Sequence, residues 1–265
     1  MDGGAGAHTG RRIALLIEYD GTAYRGSQYQ ENGPSIQSVL EAAINNLTGQ
    51  QVRAAFAGRT DAGVHALGQV AAFDTTTAIE TQAIRGGLNH FLPPDVVVRS
   101  ARDVPDSFDP RRDAIARRYR YRIDNRPARP ALDRERVWHV PRRLDLRLMR
   151  EAAAALLGEH DFAAFAAPYD GRTVRTLDRC DVDGDPAGGI TVDMCSRAFL
   201  PHQVRRTVGP LVEVGLGGME ARQLARWLED ARHSTAGPAA PPHGLYLVKV
   251  EYPGIEFDTG GEAEK

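Results

Sequence analysis

Apolar and polar positions change period several times along the chain, and each change marks an element. The run "RRIALLIEYD" beginning at Arg11 is apolar and ends in the turn formers of "YDGTAYRG", which predicts a strand over residues 12–19. Ile36, Val39, Leu40, Ala43 and Leu47 then recur at helical spacing, with Ser35 placed to cap the helix and Gly49 placed where a left-handed C-cap is wanted. "QVRAAFA" (51–57) and "GQVAAFD" (68–74) read as strands flanking a glycine-bounded loop. "TAIE" (77–80) has the form of a capping box, opening a helix that stops near "FLPPD", because Pro93 and Pro94 cannot continue it. "DVVVRSARDV" (95–104) is a further strand.

After "PDSFDPRRDA" the pattern restarts. Strands are expected at "RRYRYRI" (117–123) and "RVWHV" (136–140), and a helix in "DLRLMREAAAALLGEHDF" with Asp145 as cap and Gly158 as stop. "TLDRCDV" and "GITVDMC" form a hairpin around the turn-rich "DGDPAGG" (183–189). A helix near 202–216, a short amphipathic one in "ARQLARWLEDA", and the strand "GLYLVKVEY" complete the chain. Both halves mix strands with helices that pack on them, so the class is α+β in two domains. The composition shift near 105–112 places an N-terminal domain at 11–108 and a C-terminal one at 109–255, between a disordered extension (1–10) and an acidic tail (256–265).

Composition narrows the function classes. A chain of 265 residues that is 42% hydrophobic buries a substantial core, and no run approaches the roughly 18–20 apolar residues of a membrane span, so a cytoplasmic protein is expected. Cys180 and Cys195, the only two cysteines, are read as reduced, packed thiols, and the eight histidines show no metal-binding pair spacing. No metal and no cofactor are expected. The net charge of −2 conceals a cluster, "RRDAIARRYRYR" (111–122), with six arginines against one acid. Such a stretch is either a solvated face or a set of phosphate contacts.

One segment asks for more than turn chemistry. In "AFAGRTDAGVHALGQVAAF" (55–73), Arg59 and Asp61 stand between glycines at a crossing from strand to strand. Taken alone, Asp61 is a turn residue whose carboxylate bonds backbone N–H groups, and Arg59 a solvated charge. The stretch "AGRTDAGVHALGQV" nevertheless resembles, residue after residue, the catalytic motif of TruA-type tRNA pseudouridine synthases. "IEYDGTAYRG", "SIQSVLEAAI", "ARRYRYRI", "LLGEHDFAAF", "RTVRTLDRCDV" and "GLYLVKVEY" resemble that family in the same order, over residues 12–252.

The resemblance implies two domains whose sheets join into one larger mixed, mainly antiparallel sheet, with the active-site cleft between them. It implies a cofactor-free isomerase that converts uridine to pseudouridine at positions 38–40 of the tRNA anticodon stem-loop, as a homodimer in which one RNA touches both subunits. By the same resemblance Asp61 is the essential catalytic group, attacking the ribose C1′ or the uracil ring or first removing a ribose proton. Each role needs an ionised carboxylate in a site that is dry once RNA is bound, so a cation must stand beside it. The resemblance places such a cation at Arg205, in "FLPHQVRRTVG". Tyr119 matches a tyrosine that stacks on the target base, Leu245 a residue packing on the base's other side, and Arg59 an arginine that holds the flipped nucleotide. Arg117 and Arg118 would contact phosphates. Without the family, Tyr119 fits equally a half-buried strand with its aromatics turned inward.

The chain departs from the family in two places. Ser27 in "RGSQYQ" replaces a customary aromatic, and Pro201, Gln203, Arg206 and Thr207 are unusual around Arg205; both bear on RNA contact more than on the reaction. Two rival readings remain. One is a catalytically idle RNA-binding or tRNA-folding protein on the same scaffold. The other is a nucleoside glycosidase, which would want a second acid near Asp61 that the motif does not supply.

Overall fold

The computed structural model describes residues 10–184, 188–230, 232 and 235–257. The expected N-terminal extension (but for Gly10), the centre of the "DGDPAGG" turn at 185–187, and most of the acidic tail lie outside the described residues. The chain divides into two compact units. Of the described residues, the first holds those up to Ala62, then Ala66–Ala114 and those from Val250 onward; the second holds Gly63–His65 and those from Ile115 to Lys249.

In the first unit the elements are β1 (Arg11–Tyr19), α1 (Ile36–Thr48), β2 (Ala55–Phe56), β3 (His65–Thr75, whose first residue belongs to the second unit), α2 (Thr81–Phe91) and β4 (Val96–Val104). β1 is central, antiparallel to both β3 and β4, with Leu15 opposite Ala71 on one side and Ala101 on the other. Its run Ile13–Ile17 is buried on both faces, which explains why the sequence shows no alternation there. α1 begins as expected: Ser35 Oγ accepts the Ser38 N–H at 3.1 Å and Ser38 Oγ accepts the Ser35 N–H at 3.0 Å, and Gly49 closes the helix at φ 72°.

Two local expectations are corrected. The capping box at Thr77–Glu80 does not form. α2 starts at Thr81, Glu80 caps it without a side-chain bond, and the Thr77 hydroxyl accepts the Ile79 N–H (3.3 Å) in a tight turn before the helix. The strand expected over 51–57 is reduced to Ala55–Phe56. Helix side chains claim the backbone just before it: Ala54 N–H donates to Glu41 Oε1 (3.0 Å) and Ala54 C=O accepts Gln37 Nε2 (3.1 Å).

The second unit contains β5 (Ala116–Asp124), β6 (Trp138–His139), α3 (Leu146–Ala154), β7 (Gly158–Asp161), β8 (Val174–Leu177), β9 (Arg179–Gly184), β10 (Gly189–Ser196), α4 (Gln203–Gly215), α5 (Arg222–Glu229) and β11 (Leu245–Glu251), the last of which crosses into the first unit at Val250. The strand order is β11–β5–β10–β9, with β6 added parallel to β5 and β7–β8 forming a separate antiparallel pair. β10 is antiparallel to β5 and β9, so the expected hairpin of β9 and β10 is present. Asp145 caps α3 through the Arg147 and Leu148 N–H groups (2.9 and 3.1 Å). The helix ends before Gly158, however. Leu156 N–H turns back to the Ala153 carbonyl (3.1 Å) and its side chain is fully buried, while Gly158, at φ 98°, opens β7 instead.

Each unit thus combines strands with helices packed on them, and the α+β class holds. Among the described residues no helix is long and apolar enough to cross a membrane. Cys180 is buried and Cys195 half-buried, and neither is in a disulfide.

Candidate active site

The loop Gly58–Ala62 of the first unit is held from several directions. Gln69, fully buried on β3, donates its amide to the Gly58 carbonyl (2.9 Å). The Thr60 N–H donates to Ser27 Oγ (2.8 Å), and the Thr60 carbonyl accepts the Ser27 N–H (3.1 Å). Thr60 Oγ1 shares a hydrogen bond with the Tyr19 hydroxyl (2.8 Å), whose phenol burial pushes up to about 12, so that it stays neutral. Gly26 lies under the same peptide. Its φ is +96°, and a Cβ there would stand 2.7 Å from the Thr60 oxygen. Within this frame Thr60 is buried, Asp61 is half-buried and Arg59 is exposed.

Immediately after the loop, Gly63–His65 belongs to the second unit. Gly63, at φ +78°, faces the Pro242 ring, where a Cβ would sit at 3.1 Å. His65 Nε2 lies 3.0 Å from the Glu135 carbonyl and 3.1 Å from that of His243, and its ring stacks on Tyr246 at 4.8 Å. Leu245, at the start of β11, is buried beside Tyr246 in sequence.

β5 separates the arginine cluster by strand alternation. Arg117, Tyr119, Tyr121 and Ile123 are buried, whereas Arg118, Arg120 and Arg122 are half-buried on the opposite side. The Arg117 guanidinium donates to the Arg197 carbonyl. Arg120 pairs with Asp193 (2.8 Å), and Arg122 lies over the Tyr246 ring at 5.6 Å. Arg117 and Arg118, expected as joint phosphate contacts, therefore stand on opposite faces of one strand. Tyr119 is turned inward, edge-to-face with Phe199 at 5.2 Å.

Arg205, in the first turn of α4, is fixed by a two-way backbone pairing: its Nε donates to the Ala240 carbonyl (2.8 Å), and the Ala240 N–H donates to the Arg205 carbonyl (2.9 Å). The next residue, Pro241, accepts the Tyr121 hydroxyl through its carbonyl (2.7 Å). Burial raises the Tyr121 phenol strongly, and the Arg205 charge opposes that rise. Tyr121 thus ties the Tyr119-bearing face of β5 to the segment that holds Arg205. His202, just before α4, adopts a left-handed φ of 61°, the only non-glycine residue described with positive φ.

The unusual residues around Arg205 mostly serve packing. Gln203 Oε1 accepts the Leu200 N–H (2.8 Å), Thr207 Oγ1 donates to the Gln203 carbonyl (2.9 Å), and Arg206 donates to the Gly237 carbonyl (3.1 Å); Pro201 is exposed. Sequence reasoning missed Tyr19, Ser27, Gln69 and Tyr121 as parts of these frames. The available signal was Gly26 directly before Ser27, a glycine where a close backbone approach was needed. Among the described residues no group of three or more His, Cys, Asp or Glu side chains is arranged to hold a metal ion.

Comparison with known proteins bears on this arrangement. The profile of the family described as "tRNA pseudouridine synthase" matches residues 15–111 and 152–253. A protein of Myxococcus xanthus named tRNA pseudouridine synthase A is 48% identical over 243 residues, covering 91% of this chain and 92% of its own. Proteins of the same name from Rhodopseudomonas palustris (strain BisA53) and Geotalea daltonii are 49% and 43% identical, each over 91% of this chain and over 99% and 100% of their own lengths.

Proposed function

The chain belongs to the tRNA pseudouridine synthase family, and from that premise we propose that it isomerises uridines 38–40 of tRNA anticodon stem-loops, with Asp61 as the catalytic carboxylate. In this isomerisation the uracil N1–C1′ bond breaks, the base turns, and a C5–C1′ bond forms; C5 loses a proton and N1 gains one. Atoms balance within the substrate, so no cofactor is consumed.

The observation that carries the assignment of Asp61 is the way its loop is built. The peptides before it are bonded to Ser27 and Gln69 and the Thr60 hydroxyl to Tyr19, while Asp61 itself is only half-buried. A turn residue does not need such a frame, whereas a group that must meet a ribose within a fraction of an ångström does. Arg205, held at its Nε by the Ala240 carbonyl, is the cation this reading sets beside the catalytic carboxylate. Tyr119 and Leu245 supply flat and apolar surfaces for the base, and Arg59, exposed at the loop tip, holds the nucleotide out of its stem. Arg118, on the more accessible side of β5, is the better phosphate contact of the arginine pair, with Arg117 supporting the strand beneath. The reading includes a cytoplasmic homodimer working on tRNA.

The test is to map pseudouridine by chemical labelling in total tRNA from cells with and without this protein. Loss of the modification at positions 38–40 in its absence is expected. An unchanged map would overturn the proposal.

A further inference from the structure

We infer that Ser27 is a positioning residue for Asp61, its hydroxyl and backbone fixing the two peptide groups that precede the carboxylate. The inference rests on the reading of Asp61 given above and deepens it. Ser27 is 1% exposed and 33 residues distant in sequence from Thr60. Its Oγ accepts the Thr60 N–H at 2.8 Å, which orients the peptide joining Arg59 to Thr60. Its own N–H donates to the Thr60 carbonyl at 3.1 Å, and that carbonyl shares a peptide plane with the Asp61 N–H. Both planes leading to the Asp61 Cα are therefore set by one residue.

Ser27 is in turn anchored. The Ile36 N–H donates to the Gly26 carbonyl (3.2 Å) and the Gln37 N–H to the Ser27 carbonyl (3.0 Å), so Gly26–Ser27 hangs from the first turn of α1. A continuous path of hydrogen bonds runs from the start of that helix to the peptide of Asp61. Serine suits the place because its side chain is small enough to lie wholly buried beside the loop and still presents an acceptor. An apolar residue would leave the Thr60 N–H buried without a partner, and the peptide would turn to find one.

The test is single-turnover release of tritium from C5-labelled uridine in tRNA, at saturating protein, together with a filter-binding titration and thermal unfolding, for Ser27→Ala and Ser27→Thr, with Asp61→Asn run beside them. Ser27→Ala is expected to lower the single-turnover rate by about tenfold to a hundredfold, the scale of a displaced reacting group, with tRNA affinity within about threefold of wild type. Ser27→Thr, which restores the hydroxyl, recovers most of the rate. A folded Ser27→Ala protein that is less stable but turns over at the wild-type rate overturns the positioning role and leaves Ser27 as packing alone. Should Ser27→Ala not fold, Ser27→Cys, close in volume and a weaker acceptor, carries the same readouts, and a wild-type rate there has the same meaning. The two levels separate cleanly. Turnover persisting in Asp61→Asn defeats the underlying reading, while an inactive Asp61→Asn beside a fully active Ser27→Ala defeats only the inference about Ser27.

Discussion

Gly26→Ala should be among the more damaging single methyl additions in the first unit. The residue sits at φ +96°, where an L side chain costs roughly 1–2 kcal/mol. The added Cβ would stand 2.7 Å from the Thr60 oxygen, closer than such atoms tolerate, so the carbonyl must move. That carbonyl accepts the Ser27 N–H at 3.1 Å, and losing a buried bond of this kind costs about 1–3 kcal/mol. The sum, about 2–5 kcal/mol, is a large part of the roughly 5–15 kcal/mol that holds an ordinary domain together. The variant should fold, with a urea midpoint well below wild type and a melting temperature lower by on the order of 10 °C. Gly86→Ala is the control. Gly86 lies inside α2, a Cβ there meets nothing within 4 Å, and the change should stabilise by roughly 0.5–1 kcal/mol through helix propensity. Urea unfolding of the two variants side by side decides the matter: equal midpoints would refute the claim that the Asp61 loop rests on Gly26.

Three further outcomes follow from the second unit. Tyr121→Phe removes the 2.7 Å bond to the Pro241 carbonyl and should cost about 1–2 kcal/mol in urea unfolding, with turnover reduced because the segment holding Arg205 loses a tie; unaltered stability would contradict the bond. Burial pushes the Cys180 thiol up to about 12, so thiolate is scarce until the pH approaches that value, and a thiol reagent at pH 8 should spare Cys180 in the folded protein but modify both cysteines in denaturant; rapid modification of both in the folded state would contradict its burial. Arg118→Ala should weaken tRNA binding and flatten the dependence of log affinity on log salt by about one unit, whereas Arg117→Ala should act on stability. The same salt slope in wild type and Arg118→Ala would make Arg118 only a solvated charge.

What was legible in the chain was mostly local. Ser35, the helical spacing that follows it and Gly49 lie within one stretch, so α1 and both its ends could be read directly. The "RTDAG" loop was visible because its residues are contiguous. The errors arose where a distant partner decided the outcome. The strand expected over 51–57 lost its first half because Glu41 and Gln37 reach across from α1 to bond Ala54. The box at Thr77 failed because its hydroxyl found a nearer N–H within a turn. Ser27 looked like a missing aromatic, and only the fold reveals that its hydroxyl serves a peptide 33 residues away. The arginine cluster was apparent as charge, yet strand alternation had already assigned Arg117 and Arg118 to different faces, and Asp193 and the Tyr246 ring engage two of the others.

The central claim is that Asp61 is the catalyst, and Asp61→Asn tests it with the least disturbance, because the amide keeps the side chain's size and much of its hydrogen-bonding shape. It can neither act as a nucleophile nor take up a proton usefully. The measurement is release of tritium from C5-labelled uridine in tRNA, beside a filter-binding titration of the same RNA. Release at background is expected, with affinity retained or slightly tightened, since one negative charge near phosphates is gone. Tritium release near the wild-type rate would contradict it, and would return Asp61 to the role of a turn residue.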